Sequence, residues 1–367
     1  MNFFDPSGWA NGQAFEAARA AQREGPLRWV PGAEVLAVLG HAEAIEVLSD
    51  SQRFTSRQGT GLVAGGTAGR SLNLDDPPKS LDLRRLLQSI MDQPETTESR
   101  QLLVQSAQDA VERACARGDA DALSDLGEPV ARASFGRLWG LETDELTLLC
   151  RLTEGLARSG TERVAQQRAD DELRSFLRAG IAEARRGPFW DLARSAMERG
   201  LTPEDSMFLL RLVVQTGHES TAQAIAGAIH AALEHQLPFD ASPRALEEWL
   251  RWTSPLSRFA RVATRRTTVG AFDVEESTRL VVVFPVVNRD PAVFPNADTI
   301  ELQRAPNAHL AFGWGPHACA GARAARQQLA AVLEALQHVE RPTLLAPAVR
   351  LTSAVTNGFV RVPLRFR

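Results

Sequence analysis

Tyrosine is absent from the 367 residues and lysine occurs once, at Lys79, so nearly all basic charge is arginine. Both are compositional biases that point to no mechanism. Cysteine is scarce as well: Cys115, Cys150 and Cys319 lie far apart and form no even, spaced framework. That excludes a secreted-type disulfide scaffold and leaves Cys115 and Cys150 as reduced structural residues. No CxxC or HExxH occurs, and one cysteine cannot build a zinc site. The segment from Met1 to Gly25 has no apolar run long enough for a signal peptide or membrane anchor, so a soluble, cytoplasmic chain is expected. No long basic run offsets the net charge of −4, which argues against coating nucleic acid or anionic membrane.

What is present suits a packed core, with 44% apolar residues and no repeat or linker to mark a boundary, so one domain over 1–367 is expected. Leu27 to Val30, then Pro31-Gly32, then Val35 to Val38 reads as a β-hairpin, followed by a short helix from His41 to Ser49. From about Thr97 to Gln236 the apolar spacing is largely helical. Alternation returns at Val262 to Phe284 and in a closing hairpin at Ala348 to Phe366. The fold class expected is mainly α with small β-sheets. Thr202 and Pro203 start a helix that the spacing carries to about Gln236, enough to cross a domain. Its apolar run is interrupted by Gln215-Thr216-Gly217-His218-Glu219-Ser220-Thr221, and buried polar groups are costly unless something pairs with them. A ligand or water channel is therefore expected there.

Cys319 lies in Phe312-Gly313-Trp314-Gly315-Pro316-His317-Ala318-Cys319-Ala320-Gly321, ahead of a helical Ala- and Arg-rich stretch. A sulfur at a helix N-terminus faces unpaired N–H groups that favour the thiolate. The glycines let the chain fold tightly beneath a flat ligand, and Ala318, Ala320 and Gly321 leave the approach open. A cofactor held by a single protein thiolate is indicated, and haem is such a cofactor.

The FGxGxHxCxG pattern, with His309-Leu310-Ala311 before it, resembles the haem-ligand signature of the cytochrome P450 family. The resemblance extends to Glu248-Trp249-Leu250-Arg251, to Asp76-Pro77-Pro78 followed by Arg84, to Val287-Asn288-Arg289-Asp290-Pro291, and to the Gly217, Glu219, Ser220 cluster. It implies the cytochrome P450 fold, with the long helix over haem b, and Cys319 as its axial thiolate. Arg84, Arg261 and His317 would bind the propionates, in a site completed by Phe312, Gly313 and Gly321. Glu219 would gather protons and Ser220 or Thr221 would pass them to the oxygen being reduced, with Thr216 close by. Glu248 and Arg251 would form a buried structural ion pair with Arg304 or His309 as third member. Leu212, Gln215, Leu256, Phe259 and Val355 to Gly358 would line the substrate pocket, and the segment from Phe54 to Asp76, with Gly59, Gly61, Gly65, Gly66 and Gly69, would be a mobile lid.

Three positions depart from the family pattern: Ser80 stands for a histidine, Thr216 for Ala or Gly, and Ser220 for threonine. Weaker haem binding and looser coupling of oxygen use to product are expected from them. With no flavin or nicotinamide fingerprint, electrons are expected from a ferredoxin or flavodoxin with its reductase, docking on a basic patch of Arg323 and Arg326 with Arg84 or Arg85. The function implied is a haem-thiolate monooxygenase, a monomer by default, oxidising a small organic substrate in secondary-metabolite tailoring. Two alternatives stay open: an oxidase or peroxygenase-type coupling or desaturation on the same haem, and a haem-binding recruitment module without catalysis.

Overall fold

The computed structural model describes residues 4–62, 72, 74–91, 96–158, 163–353 and 355–367. Gly65, Gly66 and Gly69 lie outside them, with part of the expected lid. The hairpin forms over Leu27–Val30 and Val35–Val38, and the helix over His41–Ser49, as their alternation and turn residues predict. The hairpin extends into a five-stranded sheet by parallel pairing of Val35–Val38 with Arg279–Val283; Arg258–Ala263 and Phe54–Thr55 follow, antiparallel. Arg279 donates to the carbonyls of Gln58, Gly59 and Gly61 at 2.9–3.0 Å, which ties the described start of the expected lid to this sheet.

Elsewhere the chain is mainly helical, in agreement with the expected class. One exception within the helical stretch is Asp119–Asp121, a short strand that pairs with Pro363–Arg365, which in turn pairs with Thr343–Leu344. The closing segment accordingly feeds two small sheets, since Val349–Arg350 pairs with Phe359–Arg361.

The long helix is two helices, Pro203–Gly217 and Glu219–Glu234, with His218 between them at φ −133°. Its start is a capping box, in which the Asp205 N–H donates to Thr202 Oγ1 at 3.1 Å and the Thr202 N–H to Asp205. Periodicity could not reveal the break, because it comes from hydroxyl groups competing for backbone carbonyls. Thr216 Oγ1 donates to Leu212 O at 2.8 Å and Ser220 Oγ to Thr216 O at 3.3 Å, a pattern that bends helices. Gly217 lies flat on Phe135, where a Cβ would come within 2.3 Å of the ring. The two halves belong to different cores. Met207, Leu209, Leu210 and Val214 pack with Phe135, Trp139 and Phe189, whereas Ile225, Ala228 and Ile229 belong to the core shared with the segment Ala122–Gly127 and the helix Ala322–Gln337. The small alanines of the second half allow that close packing.

Candidate active site

The cysteine loop is held from behind. Asn288 accepts the Leu310 N–H at 2.6 Å, and the Phe312 carbonyl accepts the Cys319 N–H at 2.8 Å. Gly313 and Gly315 have φ of +68° and +69°, which favours glycine. The tight approach at Gly315 is to protein, not to a flat ligand as the sequence suggested: a Cβ there would lie 2.6 Å from the carbonyl of Leu48. Gly321 caps the Ala322–Gln337 helix, and a Cβ on it would stand 3.8 Å from the Cys319 sulfur. Cys319 keeps accessible surface, yet it lies deep among surrounding atoms, and that burial pushes its thiol pKa up. The Gly321 N–H and the charges of Arg84 and Arg326 oppose this without reversing it. The helix terminus alone therefore does not make the thiolate; a cation at the sulfur would.

Of the three expected propionate-binding residues, Arg84 and His317 meet at the loop, and Arg261 is linked to them through the charge of Asp76. Arg84, on the Lys79–Met91 helix, donates to the Pro316 carbonyl at 3.0 Å. His317 Nε2 stands 3.2 Å from Ser56 Oγ and 3.8 Å from Asp76. Arg261 is buried, donates to the Ala260 carbonyl at 2.9 Å, and has its pKa pulled down to about 10 by burial, with Asp76 opposing. Asp76, which the sequence reading used only as part of a motif, is the hub. Burial raises its pKa, but hydrogen bonds from His317, Thr55 and Ser56 bring it to about 2. Ser80 does not join the group, because its Oγ is buried without a partner. One thiol, with cationic donors gathered beside it, is a donor set that fits a haem and its two carboxylates.

Glu248 and Arg251 are fully buried and bonded through two contacts of 2.8 Å. Glu248 also accepts from Arg304 at 3.1 Å, Asn307 at 3.0 Å and the Glu301 N–H at 2.7 Å. Arg251 donates in addition to the carbonyls of Asn288, Ala297 and Thr299. Burial raises the Glu248 pKa, and these cations and the N–H outweigh it, so it is lowered. Arg304 is thus the third member and His309 is not: His309 pairs with Glu247 at 2.9 Å. Glu247 also takes both arms of Arg326, at 2.6 and 2.8 Å, and Arg326 stacks 4.5 Å from the Phe312 ring. Within the expected basic patch, Arg326 pairs with Glu247, Arg85 pairs with Asp82 at 2.8 Å on the surface, and Arg84 turns inward.

On the broken helix, Leu212, Gln215, Thr216, Glu219 and Ser220 fall on one stripe that is half-buried or exposed. Thr221, one step round, is buried. Leu256 bridges to Thr356, and the Val355 carbonyl accepts from Ser257 N at 2.7 Å, so both pocket segments are joined. Phe259 stands edge-on to Phe284 at 5.9 Å. The Glu219–Glu234 helix packs on the Ala322–Gln337 helix that follows Cys319.

Sequence reasoning gave no role to Asp76, Glu247 or Gln223. Gln223 pins the closing hairpin to the helix by paired bonds to Phe359 at 2.8 and 2.9 Å. Glu247 had a signal in its place beside Glu248, and Asp76 in the acidic pair before Pro77.

The cytochrome P450 family model matches residues 242–339. The chain is 30% identical to nocardicin C N-oxygenase of Nocardia uniformis subsp. tsuyamanensis, over 91% of this chain and 89% of that protein. It is 26% identical to steroid C26-monooxygenase of Mycolicibacterium smegmatis, over 81% and 79%. Among solved structures, P450 OxyD, involved in the biosynthesis of vancomycin-type antibiotics, superposes with a TM-score of 0.86 at 25% identity, covering 99% of this chain and 98% of that one. Among the described residues, no helix is long and apolar enough to cross a membrane.

Proposed function

The chain belongs to the cytochrome P450 family and is a monooxygenase-type oxidoreductase; from that premise we propose that it oxidises a small, mainly apolar organic molecule bearing a hydrogen-bonding group, as a tailoring step in secondary metabolism. The observation that carries this reading is the meeting of Arg84 and His317 at the loop of Cys319, with Arg261 linked to them through Asp76 and the Glu219–Ser220 helix packed on the helix after the loop.

Haem b supplies dioxygen activation when bound, with electrons delivered by a ferredoxin or flavodoxin and its reductase. Cys319 holds the iron as thiolate, its backbone fixed by Phe312. Arg84, Arg261 and His317 pair with the two carboxylates of the group, which seats it in one orientation. Glu219 would release a proton toward the Ser220 hydroxyl, which would pass one on toward the oxygen site. The Ser220 hydroxyl is held by the Thr216 carbonyl at 3.3 Å, so its orientation is set by the same bond that breaks the helix. Gln215 and Thr216 offer the substrate hydrogen bonds, while Leu212, Leu256, Phe259 and Val355 enclose its apolar part and exclude water.

Reconstitution with a ferredoxin and its reductase under labelled dioxygen tests the reading. One labelled oxygen atom in the product per dioxygen consumed is expected. Product without label, or oxidation driven equally well by peroxide alone, would favour coupling or desaturation instead. A spectral-binding screen in which only plain hydrocarbons bind would remove the assignment of Gln215 and Thr216.

A further inference from the structure

His218 is 3% exposed, and neither Nδ1 nor Nε2 has a hydrogen-bond partner. The Val214 carbonyl, one turn earlier, acts to raise the ring's pKa against the larger effect of burial. Leaving such a group unpaired is a net cost, and packing alone would be served as well by an apolar ring against Phe135, whose centroid is 5.8 Å away. The same ring walls a cavity of about 230 Å³ that is also lined by Glu128, Arg132, Glu219 and Gln223. Its outer wall includes Val360, which is 54% exposed, so the cavity reaches the surface. Glu128 and Arg132, paired at 2.8 Å, set fixed charges along the way. The space admits several waters at about 30 Å³ each, and the walls supply the polar partners that such waters need.

We propose that this cavity is the water-filled route by which protons from solvent reach Glu219, with His218 as a positioning residue whose ring nitrogens hold water beside that carboxylate. The inference rests on the reading of Glu219 as proton donor. Glu219 gives one proton toward Ser220 and becomes a carboxylate; a cavity water returns one proton and regains it from bulk solvent, and no electron moves. The charged groups facing the ring are Arg132 and Glu128, from the Glu128–Trp139 helix, and Glu219 beside it. Burial and the Arg132 charge pull the His218 pKa down to about 4, so the ring stays neutral, accepting at one nitrogen and donating at the other. Glutamine, also neutral with a donor and an acceptor, can replace it; phenylalanine, of similar shape, cannot.

The test compares the haem-loaded wild type with His218→Phe, His218→Gln and Glu219→Gln, without substrate, driven by a plant-type ferredoxin and its reductase. The readouts are hydrogen peroxide formed per dioxygen consumed and the solvent deuterium isotope effect. A crystal structure of the wild-type holoenzyme adds a measurement that needs neither turnover nor a variant. Expected are a several-fold higher peroxide fraction and a larger isotope effect in His218→Phe, near-wild-type behaviour in His218→Gln, and ordered water bonded to the His218 ring and continuous to Glu219. A dry cavity, or a His218→Phe enzyme matching wild type while Glu219→Gln departs from it, overturns the inference and leaves the role of Glu219 intact. Wild-type behaviour of Glu219→Gln removes that role itself, and the route with it.

Discussion

Two clusters of buried polar groups, one around Glu248 and one around His218, differ in where their partners come from. Every charge near Glu248 is answered within the chain: Arg251, Arg304, Asn307 and the Glu301 N–H converge on one carboxylate, and the spare N–H groups of Arg251 go to backbone carbonyls. At His218 both nitrogens are unanswered, a cavity adjoins the ring, and the helix that carries it is broken. A closed network of this kind can only hold the fold together. An open one is tolerated where a solvent molecule or ligand completes it, because an unpaired buried polar group is otherwise a net loss. The Cys319 region is intermediate. Asp76 draws in Thr55, Ser56 and His317, while Arg261 retains donor capacity for an outside partner.

The largest effect that would sharpen the contrast is at Glu248. Glu248→Gln leaves Arg251 and Arg304 without their buried counter-charge, and a loss of about 3–5 kcal/mol is expected, read by denaturant unfolding and by failure to retain haem. Glu219→Gln removes a proton donor, and product formation should drop about a hundredfold. A large drop in stability would place Glu219 with Glu248, as structure. The third effect is on pH dependence. His218 has its pKa lowered from 6.5 to about 4, so the unfolded chain binds the proton first as pH falls. Its contribution is whole above about pH 6.5 and is lost as pH falls toward 4, by roughly 2 kcal/mol between pH 7 and 5. His218→Phe should flatten that part of the stability profile, and an unchanged slope would show that the ring is not held neutral. Smallest is Ser220→Thr. The added methyl restricts the rotamer, and the peroxide yield should fall modestly with stability nearly constant.

Much of this was legible in the sequence because it is local. Pro31-Gly32 between alternating runs places the first hairpin, and Thr202-Pro203 with Asp205 three residues on places a helix start, since turn and cap chemistry act over a few residues. The cysteine loop and Glu248–Arg251 were legible for the same reason. What was not legible depends on residues distant in the chain. His309 pairs with Glu247 and not Glu248, and Arg326 is taken by Glu247 instead of facing a partner, because two adjacent glutamates on the Pro243–Thr253 helix point to different neighbours. Ser242 has the sequence of an N-cap, yet its hydroxyl caps nothing. The break at His218 depends on hydroxyls that a periodicity reading counts merely as polar.

The central claim is that Cys319 holds the haem as a thiolate although burial in the chain raises its pKa. The absorption spectrum of the dithionite-reduced protein under carbon monoxide tests it most directly, because the Soret position separates thiolate from neutral ligands. The account predicts the strongly red-shifted band of thiolate-ligated haem in the wild type and its loss in Cys319→Ala. A band at the position of histidine- or thiol-ligated haem in the wild type, or a red-shifted band that survives in Cys319→Ala, would contradict it.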